Sequence, residues 1–98
     1  MNLDKVLGRL RKLGYRVKIN HFRNVGNDCL QSHEINASHT VMNNGGFTTV
    51  EVIRPDGVSL HGKHNFNAHK PFVRRIGVVS ALGRAFECRA NLVSVLNG

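Results

Sequence analysis

The stretch "FTTVEVIRPDGVSLHGKH", residues 47 to 64, limits what this chain can fold into more than any other. Its first part alternates apolar and polar side chains, the two-residue period of a strand with one buried face. Pro55-Asp56-Gly57 then supplies turn chemistry: proline presets φ, aspartate bonds back to the backbone, and glycine accepts a left-handed conformation. Val50 and Val52 can share a face with Val58 and Leu60 across that turn, so a β-hairpin is expected. A second alternation, "YRVKINHFRNV", sets Tyr15, Val17, Ile19 and His21 on one side and Arg16, Lys18, Asn20 and Phe22 on the other.

Helices frame these strands. Leu3, Val6, Leu7, Leu10 and Leu13 recur at helical spacing, with Asn2 suited to cap the start and Gly14 to end it. Lys5, Arg9, Arg11 and Lys12 cover the rest of that helix. A second helix is expected to begin near Asn67 or at Pro71, where a missing N–H costs nothing in the first turn. In "HKPFVRRIGVVSALGRAF", residues 69 to 86, the side chains Phe72, Ile76, Val79, Gly83 and Phe86 fall on one face that would roof the sheet. Gly77 and Ala81 are small enough for close approach elsewhere. "NLVSVLNG" either continues this helix after a break or adds an edge strand.

Between the first strand and the hairpin lie more than twenty residues, 24 to 46, with weak periodicity. Irregular loops of that length are uncommon in compact domains. A short strand around His39 to Met42 is one way to organise it, with Asn43-Asn44-Gly45-Gly46 turning into the hairpin. The expected architecture is one α+β domain over residues 1–98, α-β-β-β-α, with a three- or four-stranded antiparallel sheet covered on one face by helices.

Composition narrows the class. A chain of 98 residues has room for one modest core, and no apolar run approaches the roughly 20 residues of a membrane span. No membrane partner is expected. Charges interleave with apolar residues in "MNLDKVLGRLRKLGY", unlike a signal peptide, so this segment is expected to be mature sequence. Cys29 and Cys88 have no close pairing partner, and reduced thiols in a cytoplasm are the default. Fourteen Lys/Arg against six Asp/Glu leave a formal charge of +8, which attracts polyanions or an acidic protein surface.

Nucleic-acid binding uses the most residues. The outward sheet face would display Arg16, Lys18, Phe22, His61 and Lys63. The start of the last helix offers His69, Lys70, Arg74 and Arg75 beside the partial positive charge of a helix N-terminus. A metal site is not expected: His61 and His64 lie three apart on a strand and point to opposite faces, and Cys29, His33, His39 and His69 match no ligand spacing. Cys29 with His33 or His39 forms no recognisable catalytic pattern, so neither enzyme activity nor a cofactor is expected.

The order of elements, and the passage from this hairpin into a helix containing alanine and glycine, resembles the double-stranded RNA-binding domain. That family leads a glycine-spaced third strand into a helix whose basic start spans the major groove and grips phosphates. Gly62 and Lys63 match the third strand, and His69 with Lys70 match the first basic pair. Pro71, Phe72 and Val73 stand where the family has a small residue and its last lysine, and the next basic groups are Arg74 and Arg75. The resemblance implies the fold and phosphate contacts at the helix start.

The chain is also similar to a group of small bacteriophage proteins with no assigned activity. The matching residues are Thr49, Val50, Pro55, Asp56 and Gly57 in the hairpin, and Phe72, Arg74, Gly77, Ala81, Leu82, Gly83, Arg84 and Ala85 in the last helix. This implies a viral origin and action in the bacterial host cytoplasm. Two functions are expected on this basis: nucleic-acid binding through phosphates, or inhibition of a host defence complex by direct binding, as anti-CRISPR proteins do. Small viral proteins often pair through a sheet edge or helix, which leaves a homodimer among the assemblies open to the chain.

Overall fold

A computed structural model describes residues 2–98. It runs α1 (Leu3–Lys12), β1 (Arg16–Val25), β2 (Asp28–Gln31), a 3-10 turn (Ser32–Glu34), β3 (Phe47–Ile53), β4 (Ser59–Asn65), α2 (Arg74–Ala85) and α3 (Arg89–Asn97). The fold is α+β, with four antiparallel strands in the order β2-β1-β3-β4 and the helices on one face.

Both ends of α1 are closed by local hydrogen bonds. The Asn2 side-chain oxygen accepts from the Lys5 N–H at 3.2 Å, satisfying one of the orphan donors of the first turn. At the other end the Tyr15 N–H donates to the Leu10 carbonyl at 2.9 Å and the Gly14 N–H to the Arg11 carbonyl at 3.1 Å. This is a Schellman motif, and it requires the left-handed φ of +91° that Gly14 adopts. Asp4 in the first turn and Arg9, Arg11 and Lys12 in the last complement the helix dipole. Val6 and Leu10 are the residues α1 buries.

Register follows the alternation. Val17 pairs with Val52, Ile19 with Val50 and His21 with Thr48, while Leu60, Gly62 and His64 of β4 oppose the same three β3 residues from the other side. The face carrying Val50 and Val52 packs on Leu10, Ala81, Leu82, Ala85, Phe86 and Leu92. Arg16, Lys18, Phe22, His61 and Lys63 lie on the opposite, helix-free face, as the two-residue period requires. Val58 falls just before β4 and is 47% exposed, so it does not join the core strip with Leu60.

The long segment is organised differently from expectation. The fourth strand is Asp28–Gln31, which folds back on β1 through a tight turn at Gly26-Asn27. The expected strand at His39 to Met42 reduces to one bridge between Val41 and Val25. Asn43-Asn44-Gly45-Gly46 is pinned not to its sequence neighbours but to the β4–α2 connection: Gly45 donates to the Lys70 carbonyl at 3.0 Å and Phe72 to the Asn43 carbonyl at 2.9 Å. Short, non-local pairing of this kind leaves no periodic trace.

Helix α2 begins at Arg74, later than Asn67 or Pro71, because residues 67 to 72 are held in a turn and in this pairing. Its buried face is Gly77, Val78, Ala81, Leu82 and Ala85, while Ile76 is 51% exposed and Phe72 and Val73 precede the helix. Of the expected face Phe86 is buried in the core, whereas Ile76 is rotated out to solvent and Val79 and Gly83 are only partly buried. The cause is steric. A Cβ on Gly62 would collide with the Ala81 carbonyl oxygen and lie 2.7 Å from the Ala85 nitrogen, and a Cβ on Gly77 would collide with the Thr48 hydroxyl. The helix backbone rests directly on the sheet through its small residues. The helix stops where Glu87 takes a left-handed φ of 70°, and α3 continues after this break, burying Leu92.

Gly62→Ala should lower unfolding free energy by about 1 to 3 kcal/mol, since its new methyl meets backbone that cannot rotate aside. Gly83→Ala, with nothing near its added methyl, should raise stability by up to about 1 kcal/mol through helix propensity. Urea denaturation of the two variants checks both signs.

Candidate nucleic-acid interface

The structure divides the basic residues into two groups, one on each side of the sheet. Arg16 and Lys18 on β1 and Lys63 on β4 lie on the open face. Arg74 and Arg75 form the first turn of α2 on the helix side. His69 and Lys70 lie between, in a turn where Asn67 accepts from the backbone N–H of both, by its side chain at 2.9 Å and its carbonyl at 2.9 Å respectively. Asn67 thus caps this turn instead of the helix.

The start of α2 is electrostatically unusual. Its N-cap is Val73, which has no side-chain acceptor, and no carboxylate occupies the first turn. Two arginines stand where the helix dipole is positive, the reverse of the stabilising arrangement. His21 and Arg23, on the inward face of β1, adjoin them. The His21 Nδ1 lies 2.9 Å from the Thr48 hydroxyl, and its ring meets Phe72 edge-on at 5.6 Å. The Arg23 guanidinium sits 4.3 Å over the same Phe72 ring and donates to the Met42 carbonyl at 3.2 Å. Its Nε is buried without a hydrogen-bond partner.

These groups repel one another. Burial holds the His21 pKa below the ordinary histidine value, and the charges of Arg74 and Arg23 push it further the same way. Burial and Arg74 also lower the Arg23 pKa. The salt bridges of the described residues are Lys18–Glu51, Arg54–Asp56 and His61–Glu51, and none involves Arg23 or Arg74. A groove of about 410 Å³ runs between the start of α1, at Asn2, Leu3 and Asp4, and Arg74, Arg75 and Val78 of α2, with His21 also lining it. Two helix N-termini therefore converge on a groove walled by arginines, with Asp4 its single carboxylate. Charge and helix dipole together give such a groove a positive potential.

The open face is less one-sided. Glu51 lies between Lys18 and His61, 3.8 Å from each, in solvent-exposed pairs that add little to stability. Phe22 and Phe47, directly opposed in the register, stack with centroids 4.3 Å apart and planes 14° apart. The Lys63 ammonium lies 4.2 Å above the Phe47 ring.

His21 lines the groove, while Arg23 stands behind it as a neighbouring charge, and Arg23 is missing from the residues that the sequence pattern singles out. Extending the Val17, Ile19, His21 alternation by one step would have found it, as a cation on the face that should be apolar. His61 faces the open side and His64 the helix side, as the spacing of three requires. There His64 meets the Phe66 ring edge-on, and the Arg84 Nη1, 3.4 Å from His64 Nδ1, also donates to the Lys63 carbonyl at 2.6 Å. Burial, with Arg84 second, lowers its pKa. No helix among the described residues is long and apolar enough to cross a membrane.

In comparisons with protein families, with curated proteins and with solved structures, the chain matches none.

The two lowered histidines set the sign of a pH effect. A histidine that binds its proton less readily when folded contributes stability above its unfolded pKa of about 6.5, and that stability is lost as pH falls through this value towards the folded pKa. The protein should therefore melt at a lower temperature at acid than at neutral pH, and His21→Gln should shrink the difference. Thermal denaturation followed by circular dichroism across this pH range checks it.

Proposed function

We propose that this is a small basic protein of bacteriophage type that binds nucleic acid through phosphate contacts, without catalysis, in the cytoplasm of a bacterial host. One observation carries the reading: Arg23 and Arg74 crowd His21 at the uncapped start of α2, with no ion-pair partner for either arginine among the described residues. Repulsion between these cations and the helix dipole is relieved when an anion enters the groove. Phosphate matches the groove because arginine offers paired donors to its oxygens and helix N–H groups point at it.

The resemblance to the double-stranded RNA-binding domain supports the same end of the same helix as the phosphate grip. Arg74 and Arg75 would take the place of the last lysine, where Pro71, Phe72 and Val73 depart from the family's pattern. Lys70 lies just before them in the chain, and Lys18 and Lys63 on the open face extend the positive surface around the sheet.

A second reading is that the protein inhibits a host defence complex by direct binding, in the manner of anti-CRISPR proteins. It is favoured by a groove of about 530 Å³ beside β4, lined by Phe66, Pro71, Val73 and Ile76 with His64 and Lys70 among its polar residues. Val73 and Ile76 are exposed large apolar side chains, the composition of a protein contact more than a phosphate site.

Short duplex RNA and DNA should bind at low salt and weaken steeply as salt rises, as counterion release requires. Arg74→Ala should weaken binding and lower the salt slope by about one. The same substitution should leave stability unchanged or raise it by about 0.3 to 1 kcal/mol, since it removes a cation from the positive end of a helix. Fluorescence anisotropy and thermal melting of one preparation read both effects. Absence of binding at low salt would overturn the nucleic-acid reading, and recovery of an intact host complex with the protein would favour the second.

A further inference from the structure

We infer that the open face of the sheet is a seat for single-stranded nucleic acid, with unpaired bases stacking on the Phe22–Phe47 pair. This rests on the nucleic-acid reading above and names the class of strand. Apart from Ile53 at the end of β3, the helix-free face of the three long strands is polar or charged, yet two phenylalanines stand side by side on it at the end nearer β2. Both are only partly buried. Cross-strand packing accounts for their contact with each other. It does not account for their placement on the face that no helix covers.

The surroundings suit a base more than an apolar peptide. One face of the Phe47 ring is stacked on Phe22 and the Lys63 ammonium is held 4.2 Å over the ring, so a base reaches Phe47 by displacing this flexible cation, which then stands beside the sugar-phosphate backbone. Alongside runs a shallow groove of about 440 Å³, lined by Lys18, Asn20, Thr49, Glu51, His61 and Lys63. Asn20, Thr49 and His61 bring polar side chains to this groove, the Asn20 Oδ1 already accepting from the Gln31 side-chain amide at 2.6 Å. Glu51 repels phosphate but accepts from the amino group of a base. Lysines lie on both sides of it, Lys18 on β1 and Lys63 on β4, so a backbone crossing the strands meets cations before and after the carboxylate. Stacking is tolerant of sequence because every base has a π-face, and a duplex cannot use this surface because its bases are already stacked.

Two surfaces on opposite sides of one sheet then divide the work. The α2 groove takes phosphate from any nucleic acid, while the aromatic pair selects strands with unpaired bases.

The probe is a fluorescein-labelled oligodeoxythymidylate of about 12 nucleotides, compared with a labelled duplex of about the same length. Wild-type protein should bind the single strand more tightly than the duplex. Phe47→Leu, which keeps apolar volume and removes the ring, should weaken the single strand by about tenfold at every salt concentration with the salt slope unchanged. Duplex affinity should stay as it was. Phe22→Leu serves as a second variant, and circular dichroism confirms that each is folded. Equal single-strand affinity in wild type and both folded variants would overturn the inference while leaving phosphate binding intact, and would assign the open face to packing or to a protein partner. Loss of binding to both probes in wild type would instead remove the reading on which it rests.

Discussion

The direct seating of α2 on the sheet is the constraint on which the rest of this structure depends. Gly62 on β4 and Gly77 on α2 leave no room for a methyl group, and Ala81 and Ala85 complete the contact. Because the backbones touch, Leu82 reaches the layer occupied by Val50, Val52 and Leu10, and the core closes around it. The same contact fixes where α2 starts. Its first turn lies over the end of the sheet that carries His21 and Thr48, and so the arginines of α2 meet those of β1.

That meeting is unfavourable on its own terms. Cations at a positive helix end cost about 0.3 to 1 kcal/mol each, and mutual repulsion adds to this. Fully burying a leucine stabilises by about 1.5 to 3 kcal/mol, and Leu10, Leu82 and Leu92 are each at most 1% exposed. The core therefore outweighs the charge cluster and can hold it in place. The cluster stands with neither a side-chain cap nor a carboxylate in that first turn, which is the observation behind the proposed phosphate contacts.

Much of this was legible in the chain. The Schellman ending at Gly14, the cap at Asn2, the hairpin through Pro55-Asp56-Gly57 and the sides of β1 all follow from residue type and a two- or 3.6-residue period. The strand at Asp28–Gln31 was not, since four residues are too few to display a period and its only partner is β1. Nor was the buried face of α2. Ile76 and Val79 are larger and more apolar than Gly77 and Ala81, so hydrophobicity favours the wrong side, whereas packing distance selects the small one.

Local chemistry in the sequence thus determined the elements, their ends and which residues share a side of each strand, because those properties depend on neighbours a few positions away. Tertiary structure decided which helical face docks, which strand completes the sheet, and that the basic residues divide between two surfaces. Arg74 and Lys63 read as one positive set along the chain, and the sheet separates them. Arg23 reads as a cation on the apolar side of β1, and only the docking of α2 and of the connection before it places Arg23 beside Arg74 and over Phe72. Contacts between elements distant in the chain are set by shape and close approach, and those quantities exist only once the layers are packed.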